Sequence, residues 1–101
     1  MITIKLFYTT EGPSNILVNK MKKIIDDRGL KVNVAAFPES QIHMHIDSMD
    51  VALLEPQVGY RLSNAKEICA TKSVPVEVIP MIDYGMMNAD KILDSTLELL
   101  V

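Results

Sequence analysis

The sequence has little of what several protein classes require. One cysteine, Cys69, excludes an internal disulfide framework and a zinc site built from several cysteines. A net charge of −3 without a basic cluster argues against nucleic acid as the main partner. No apolar run approaches the roughly 20 residues of a membrane span, and no signal peptide is visible. We therefore expect a cytoplasmic protein without direct membrane insertion.

The composition is that of an ordered globular protein. Hydrophobic residues make up 49% of the chain and charged residues 23%, which is close to the usual balance of a folded domain. A length of 101 residues suffices for one domain with a modest core. We therefore predict a single domain over residues 1–101.

Strand and helix patterns alternate along the chain. Runs of β-branched and other apolar residues predict strands at 2–8, 31–37, 50–56 and 75–81. Apolar residues at helical spacing predict helices at 13–29, 57–73 and 88–101. Segment 38–49 fits either a short helix or a covering loop, and 82–87 is predicted to be a loop.

Four residues mark the expected helix ends. Pro13 suits the first turn of the first helix, because its missing N–H needs no partner there, and Ser14 is a candidate cap. Gly29 suits the end of the same helix. Asn88 is the predicted N-cap of the last helix.

The order of these elements predicts an α/β fold. Strands that alternate with helices imply right-handed crossovers and a mainly parallel sheet with helices on both faces. In such sheets, ligands bind beyond the carboxyl ends of the strands. Three loops leave those ends, at 8–14, 55–60 and 80–87, and we expect the functional residues there.

Four segments, spread over nearly the whole chain, carry a family pattern. They are "LFYTTEGPSNILV", "AAFPES", "DVALLEPQVGYRL" and "PVEVIPMIDYG". In order and spacing they resemble the enzyme IIB proteins of the lactose/cellobiose branch of the bacterial sugar phosphotransferase system. The resemblance implies the enzyme IIB fold, a four-stranded parallel sheet in the order 2-1-3-4 with helices on both faces.

The resemblance also implies a phosphoryl relay in sugar uptake. A histidine of enzyme IIA passes its phosphoryl group to a cysteine in the first IIB loop. The thiophosphate then passes to a sugar held by the membrane protein enzyme IIC. The expected partners are therefore enzyme IIA and enzyme IIC-type proteins, and no cofactor is expected.

The sequence departs from the family pattern at the reacting position, because Tyr8 stands where the family has its cysteine. Glu11 and Glu55 add negative charge, and Glu55 replaces a glycine of the family. Each charge about 4 Å from a phosphate would cost roughly 1 to 4 kcal/mol per unit of phosphate charge. A helix N-terminus stabilises a bound anion by only about 0.3 to 2 kcal/mol. We therefore expect that phosphocysteine does not form here.

The residues equivalent to the phosphate loop and its rim follow from the resemblance. The loop comprises Tyr8, Thr9, Thr10, Glu11, Gly12, Pro13, Ser14 and Asn15. The pocket rim comprises Glu55, Pro56, Gln57, Tyr84 and Gly85. The loop hydroxyls are expected to act in capping and turns, because no base for their activation is evident.

Other chemically active residues favour structural roles. Cys69 falls on the apolar side of a helix and is expected to be a small core residue. His43 and His45, with Asp47 nearby, have a metal-like spacing but lack a further ligand in the same rhythm, so no metal site is predicted. Met86 and Met87 lie beside the expected site and are candidates for partner contact.

Three functional interpretations stay open. The chain is either a IIB component by descent or a non-catalytic regulatory or docking module that binds phosphotransferase partners. A flavodoxin-like domain that binds a small ligand is a third possibility. The short length and the absence of a hydroxyl-rich phosphate loop count against that third interpretation.

Overall fold

The computed structural model describes residues 1–100, and within that range the chain alternates strands and helices. The strands are β1 (Ile2–Tyr8), β2 (Val32–Pro38), β3 (Val51–Leu54) and β4 (Val76–Val78). The α-helices are α1 (Glu11–Arg28), α2 (Leu62–Ala70), α3 (Met81–Gly85) and α4 (Ala89–Glu98). Short 3-10 segments cover Glu39–Met44, Ile46–Ser48 and Pro56–Arg61.

The strands of the described residues form one parallel sheet in the order β2-β1-β3-β4, which confirms the predicted order 2-1-3-4. β1 pairs with β2 from Ile2↔Val32 to Tyr8↔Pro38. All residues of β3 are buried, because the strand lies inside the sheet and is covered on both faces.

Helices cover both faces of the sheet, as predicted. Successive side chains of β1 point to opposite faces, so Ile4 and Leu6 pack with α1 and α4, whereas Phe7 packs with α2 and the 3-10 segments. Cys69 belongs to the second cluster and is 0% exposed. Its prediction as a core residue is confirmed.

The first helix begins earlier than predicted. α1 starts at Glu11, and Thr10 takes the N-cap position without a side-chain capping bond. The prediction that Ser14 caps the helix is wrong, because Ser14 lies inside the helix and its hydroxyl is buried against other elements. Gly29 ends the helix as predicted, with φ of 64° and its amide bonded to Asp26.

The segment before the last helix differs most from the expectation. Residues 82–87 were expected to be a loop, but α3 covers Met81–Gly85 and closes its first turn when the Tyr84 amide donates to the Pro80 carbonyl. Such a short helix shows no periodicity in the sequence. Asn88 takes the N-cap position of α4, as predicted, but its side chain donates to Asp83 at 3.2 Å and makes no capping hydrogen bond. Val101, the last residue of the predicted helix, lies outside the described residues.

The two remaining segments cover sheet edges and faces. Residues 39–48 form 3-10 turns that cover one face of the sheet through the buried Ile42. The segment is thus both helical over short stretches and a cover, the two alternatives expected for it. The second predicted helix, 57–73, begins as the 3-10 segment Pro56–Arg61 and becomes α-helical only from Leu62 to Ala70. Among residues 1–100, no helix is long and apolar enough to cross a membrane.

Candidate functional site

The carboxyl ends of β1, β3 and β4 meet along one side of the sheet. We call this side the loop edge and define it by residues 8–16, 55–61 and 80–87. The Glu55 amide donates to the Phe7 carbonyl at 3.0 Å, which extends the pairing of β1 and β3 by one residue. Glu55 therefore lies directly beside the start of the first loop.

Hydrogen-bond donors from three segments converge on the Glu55 carboxylate. The Thr9 backbone N–H and the Thr9 hydroxyl both donate to Oε1, each at 2.6 Å. The Tyr84 hydroxyl donates to Oε2 at 3.0 Å, and the Ser14 hydroxyl lies 3.4 Å from the same oxygen. Ser14 and Tyr84 also contact each other at 2.9 Å. The carboxylate thus joins the first loop, α1 and α3.

The environment keeps this carboxylate ionised although it is only 1% exposed. Burial raises the pKa of Glu55, but the hydrogen bonds from Thr9, Tyr84 and the Thr10 backbone outweigh burial and hold the pKa below its usual range. Burial and the adjacent Glu55 charge raise the pKa of Tyr84, so its hydroxyl keeps its proton and donates. The ion pairs formed within residues 1–100 do not include Glu55.

The donors converge as they would on a bound anion, but here the anion is the Glu55 carboxylate of the same chain. Backbone N–H groups and hydroxyls that converge on a point bind oxyanions such as phosphate. Here the donors of Thr9, Ser14 and Tyr84 are used by the Glu55 carboxylate. No side-chain polar atom buried in the described residues lacks a hydrogen-bond partner.

The other loop carboxylate does not share this position. Glu11 is exposed at the start of α1, and its carboxylate accepts a 3.2 Å hydrogen bond from the Asn15 side chain. Tyr8 is half-buried and packs against the core under α1 and α4. Burial raises the pKa of Tyr8, and the Glu11 charge raises it further, so the phenol keeps its proton. Of the two glutamates, only Glu55 accepts the converging donors.

The remaining predicted residues take outer positions. Thr10 and Gly12 are exposed, and Pro13 is half-buried in the first turn of α1. Around the rim, Gln57 and Gly85 are exposed and Pro56 is half-buried. The structure therefore brings a subset of the predicted residues into direct contact, namely Thr9, Ser14, Glu55 and Tyr84.

Ser14 has a role that its sequence position indicated only indirectly. It falls on the same stripe as Leu17, Val18, Met21 and Ile25, the buried face of α1. A serine on an apolar stripe needs a partner, because an unpaired buried hydroxyl costs about 1 to 3 kcal/mol. That stripe was the available signal that Ser14 contacts another element.

Large apolar side chains are exposed along the loop edge. A monomer rarely leaves many such side chains together in water without a functional reason. The members are Ile16, Tyr60, Met81, Ile82 and Met86. All five lie on the segments that define the loop edge, which also carries Glu55.

The histidines lie away from this site. His43 is exposed, whereas the Nδ1 atom of His45 lies 2.9 Å from Lys5 Nζ. Asp47 pairs with Lys72 at 3.2 Å. In the part of the chain that the structure describes, no three His, Cys, Asp or Glu side chains are grouped as metal ligands.

Comparison with known proteins identifies the family. The family model described as the lactose/cellobiose-specific IIB subunit of the PTS system matches residues 12–95. The chain belongs to this IIB family. The match confirms the resemblance seen in the sequence segments.

Individual IIB relatives agree with the assignment. The chain is 34% identical over 85 residues to the cellobiose-specific EIIB component of Lactococcus lactis subsp. lactis, with 79% of each chain covered. It is 33% identical over 85 residues to the galactose-specific EIIB component of Lactococcus lactis subsp. cremoris, again with 79% of each covered.

Solved IIB structures share the fold. The cellobiose-specific IIB component of Borrelia burgdorferi superposes with a TM-score of 0.80 at 29% identity, covering 96% of this chain and 89% of that one. The lactose-specific IIB domain of Streptococcus pneumoniae has a TM-score of 0.87, with 96% and 95% covered. At 16% identity, the second similarity concerns the fold alone.

Proposed function

We propose that this chain is a IIB-type phosphotransferase-system protein that docks to phosphotransferase partners without carrying a phosphoryl group on cysteine. The observation that supports the proposal best is the Glu55 carboxylate, which accepts the hydrogen bonds of the first loop. The proposal includes a cytoplasmic location and enzyme IIA and enzyme IIC-type partners, as the family relay implies.

The thiol chemistry of the relay has no counterpart at the loop edge. By the motif "LFYTTEG", Tyr8 takes the position of the family's cysteine. The one cysteine of the sequence, Cys69, is 0% exposed, and burial raises the pKa of its thiol. A thiol without access or thiolate character is a poor nucleophile.

The Glu55 carboxylate competes with a phosphoryl group for the same donors. A phosphoryl dianion about 4 Å from the carboxylate would be repelled by roughly 1 to 4 kcal/mol for each unit of its charge. The N-terminus of α1 would return about 0.3 to 2 kcal/mol. Because the carboxylate is part of the chain, it is always present at the site, and binding of a phosphoryl group requires its displacement.

Transfer to a hydroxyl is also disfavoured, although Glu55 supplies a base that the sequence did not reveal. The Thr9 hydroxyl donates to Glu55 at 2.6 Å, the geometry of a nucleophile and its base. The pKa of Glu55 lies below its usual range, which weakens it as a base. The negative charge of Glu55 also lies beside the Thr9 hydroxyl oxygen and would repel a phosphoryl group attached there. The Thr9–Glu55 contact therefore does little to favour phosphorylation of the loop.

The apolar surface of the loop edge supports the docking part of the proposal. Tyr60 is 80% exposed, and Ile82 on α3 is 68% exposed. Exposed aromatic and aliphatic side chains around a charged centre are typical of a protein–protein contact. A chain that docks through this surface without the relay would occupy the partners of a competent IIB and block them.

A competition experiment tests this function. A relay is reconstituted from phosphoenolpyruvate, enzyme I, HPr, enzyme IIA and a competent IIB, and the unlabelled chain is added in increasing amounts. We expect phosphorylation of the competent IIB to slow, and excess competent IIB to restore it. Unchanged phosphorylation at a large excess of the chain would contradict the proposal.

A matched pair of variants locates the surface. Ile82→Asp places a charge on the loop edge, whereas Met44→Asp changes a side chain of nearly equal exposure, 67% against 68%, on the segment after β2. We expect Ile82→Asp to lose the competition and Met44→Asp to keep it. Equal competition by both variants would exclude the loop edge as the docking surface.

A further inference from the structure

A lysine side chain is buried in the sheet face opposite α1. Lys5 of β1 is 9% exposed, and it lies under residues 39–48, which we call the cover segment. Its Nζ atom is 2.9 Å from His45 Nδ1 and donates to Ser48 Oγ at 2.8 Å. The His45 ring packs on Phe37 with 4.0 Å between centroids, and Lys5 Nζ lies 5.1 Å from the Phe37 centroid.

The contact between Lys5 and His45 depends on the protonation state of His45. A lysine ammonium group has three donors and no acceptor, so Nδ1 of His45 must accept. The ring is therefore neutral, with its proton on Nε2. An imidazolium has donors at both nitrogens. Protonation of His45 would thus remove the hydrogen bond and place two cations 2.9 Å apart.

The carboxylates around this contact bond to groups other than Lys5 and His45. β2 contributes the uncharged Phe37 at this point, and His43 on the cover segment is exposed. The carboxylates of the cover segment and of the turn after it are engaged as follows: Glu39 with Arg61 at 3.2 Å, Asp47 with Lys72 at 3.2 Å, and Asp50 with the Thr3 amide at 2.7 Å.

We propose that the Lys5–His45 contact is an acid-sensitive latch that holds the cover segment at neutral pH and releases it when His45 binds a proton. The segment follows Pro38, which pairs with Tyr8 in the sheet, and Glu39 bonds to Arg61 at the loop edge. Release would therefore alter the surface beside the Glu55 site. This inference does not depend on the proposed docking function.

The direction of the pH effect follows from the surroundings of the ring. Burial lowers the pKa of His45, and the Lys5 charge lowers it further. Burial also lowers the pKa of Lys5. Protonation of His45 is less favourable when the cover segment is closed than when it is open. The closed segment is therefore most stable above the ordinary imidazole pKa of about 6.5, where His45 is neutral in both forms. Closure weakens as the pH falls toward the pKa of the closed form, by at most about tenfold per pH unit.

Amide hydrogen exchange on the full chain tests the latch. The His45 and Ser48 amides bond to carbonyls within the cover segment and report its opening, whereas the Leu6 amide in β1 reports unfolding of the sheet. After correction for intrinsic exchange, we expect the opening constant of the cover segment to rise between pH 7 and pH 5, by at most about tenfold per pH unit. The protection of β1 should change less. An opening constant that is independent of pH would overturn the proposal.

Variants separate the latch from a general acid effect. In His45→Asn, the amide oxygen can accept from Lys5 and does not titrate. We therefore expect the opening constant of the cover segment to rise less than about twofold between pH 7 and pH 5 in this variant. His43→Asn changes an exposed histidine of the same segment and should behave as the parent chain. Lys5→Met removes the like charge and should also weaken the rise if His45→Asn fails to fold. An undiminished rise in the folded variants would refute the latch.

Discussion

Replacement of Glu55 by alanine removes the anion on which the loop-edge donors converge. Three of the contacts are short, from the Thr9 amide, the Thr9 hydroxyl and the Tyr84 hydroxyl, and the fourth, from Ser14, is long at 3.4 Å. A net hydrogen bond to a charged group stabilises by about 1.5 to 3 kcal/mol, but the bonds of one network do not add. Water can reach the exposed Thr9 and bond to its donors in place of the carboxylate, which reduces the loss of stability. We expect Glu55→Ala to lower the free energy of unfolding by about 2 to 5 kcal/mol.

Urea denaturation at pH 7 measures this loss, with Glu55→Gln as the matched control. Glutamine keeps an acceptor for Thr9, and the Tyr84 hydroxyl can turn to accept from its amide, so the charge is the main loss. We expect a decrease of about 1 to 2 kcal/mol for this variant. If Glu55→Ala unfolds within about 0.5 kcal/mol of the parent chain, the carboxylate does not organise the loop and the reasoning is wrong.

Phosphate separates an anion site from a general packing effect. In Glu55→Ala the donors of Thr9, Ser14 and Tyr84 are free to bind an external oxyanion. A ligand at 100 times its dissociation constant stabilises by about 2.7 kcal/mol, so inorganic phosphate should recover part of the loss, relative to chloride at equal ionic strength. The parent chain should show no such gain. Equal effects of phosphate on both proteins would refute the competition between Glu55 and phosphate.

The remaining predictions concern acidity, the network, the reacting position and the thiol. The pKa of Glu55 is lowered in the folded chain, so the ionised carboxylate stabilises the fold above the ordinary value of 4.5, and this stabilisation is lost as the pH falls below that value. The stability of Glu55→Gln should therefore fall less than that of the parent chain on acidification. Tyr84→Phe should cost about 1 to 2 kcal/mol in urea, whereas Tyr60→Phe, on an exposed ring, should cost almost nothing; similar losses would contradict the network. Tyr8→Cys alone should restore little phosphoryl transfer from enzyme IIA, and adding Glu55→Gly should raise it, as judged by intact mass; robust transfer by the single variant would refute the electrostatic argument. Cys69→Ser should destabilise by about 1 to 3 kcal/mol, and the native thiol should resist a thiol reagent until unfolding; rapid native labelling would contradict its burial.

The architecture was accessible from the sequence because its signals are local and repeated. β-branched runs alternate with amphipathic helices, and the fully buried β3 appears as a continuous apolar run. The strand order came from the family resemblance. α3 was missed because Met81–Gly85 is too short to show helical periodicity.

The site was only partly accessible, because side-chain direction depends on distant segments. The sequence named Glu55 as an unusual carboxylate, but its direction is fixed by Thr9, Ser14 and Tyr84, which lie on other elements. Ser14 was assigned to a cap because local rules favour serine at helix starts.

The contact made by His45 was not accessible from the sequence. The metal-like spacing of His43 and His45 led to no predicted metal site, and the structure places His45 against Lys5, forty residues away in the chain. A local spacing rule cannot detect such a partner, because only the fold brings the two side chains together.

The most direct test of the functional account is the intact mass of the chain after incubation with phosphoenolpyruvate, enzyme I, HPr and a cognate enzyme IIA. A competent IIB in the same mixture serves as the positive control, and the double variant Tyr8→Cys with Glu55→Gly tests whether the loop can be restored. The account predicts an unchanged mass for the parent chain while the control gains one phosphoryl group. A stoichiometric phosphoryl adduct on the parent chain would contradict it.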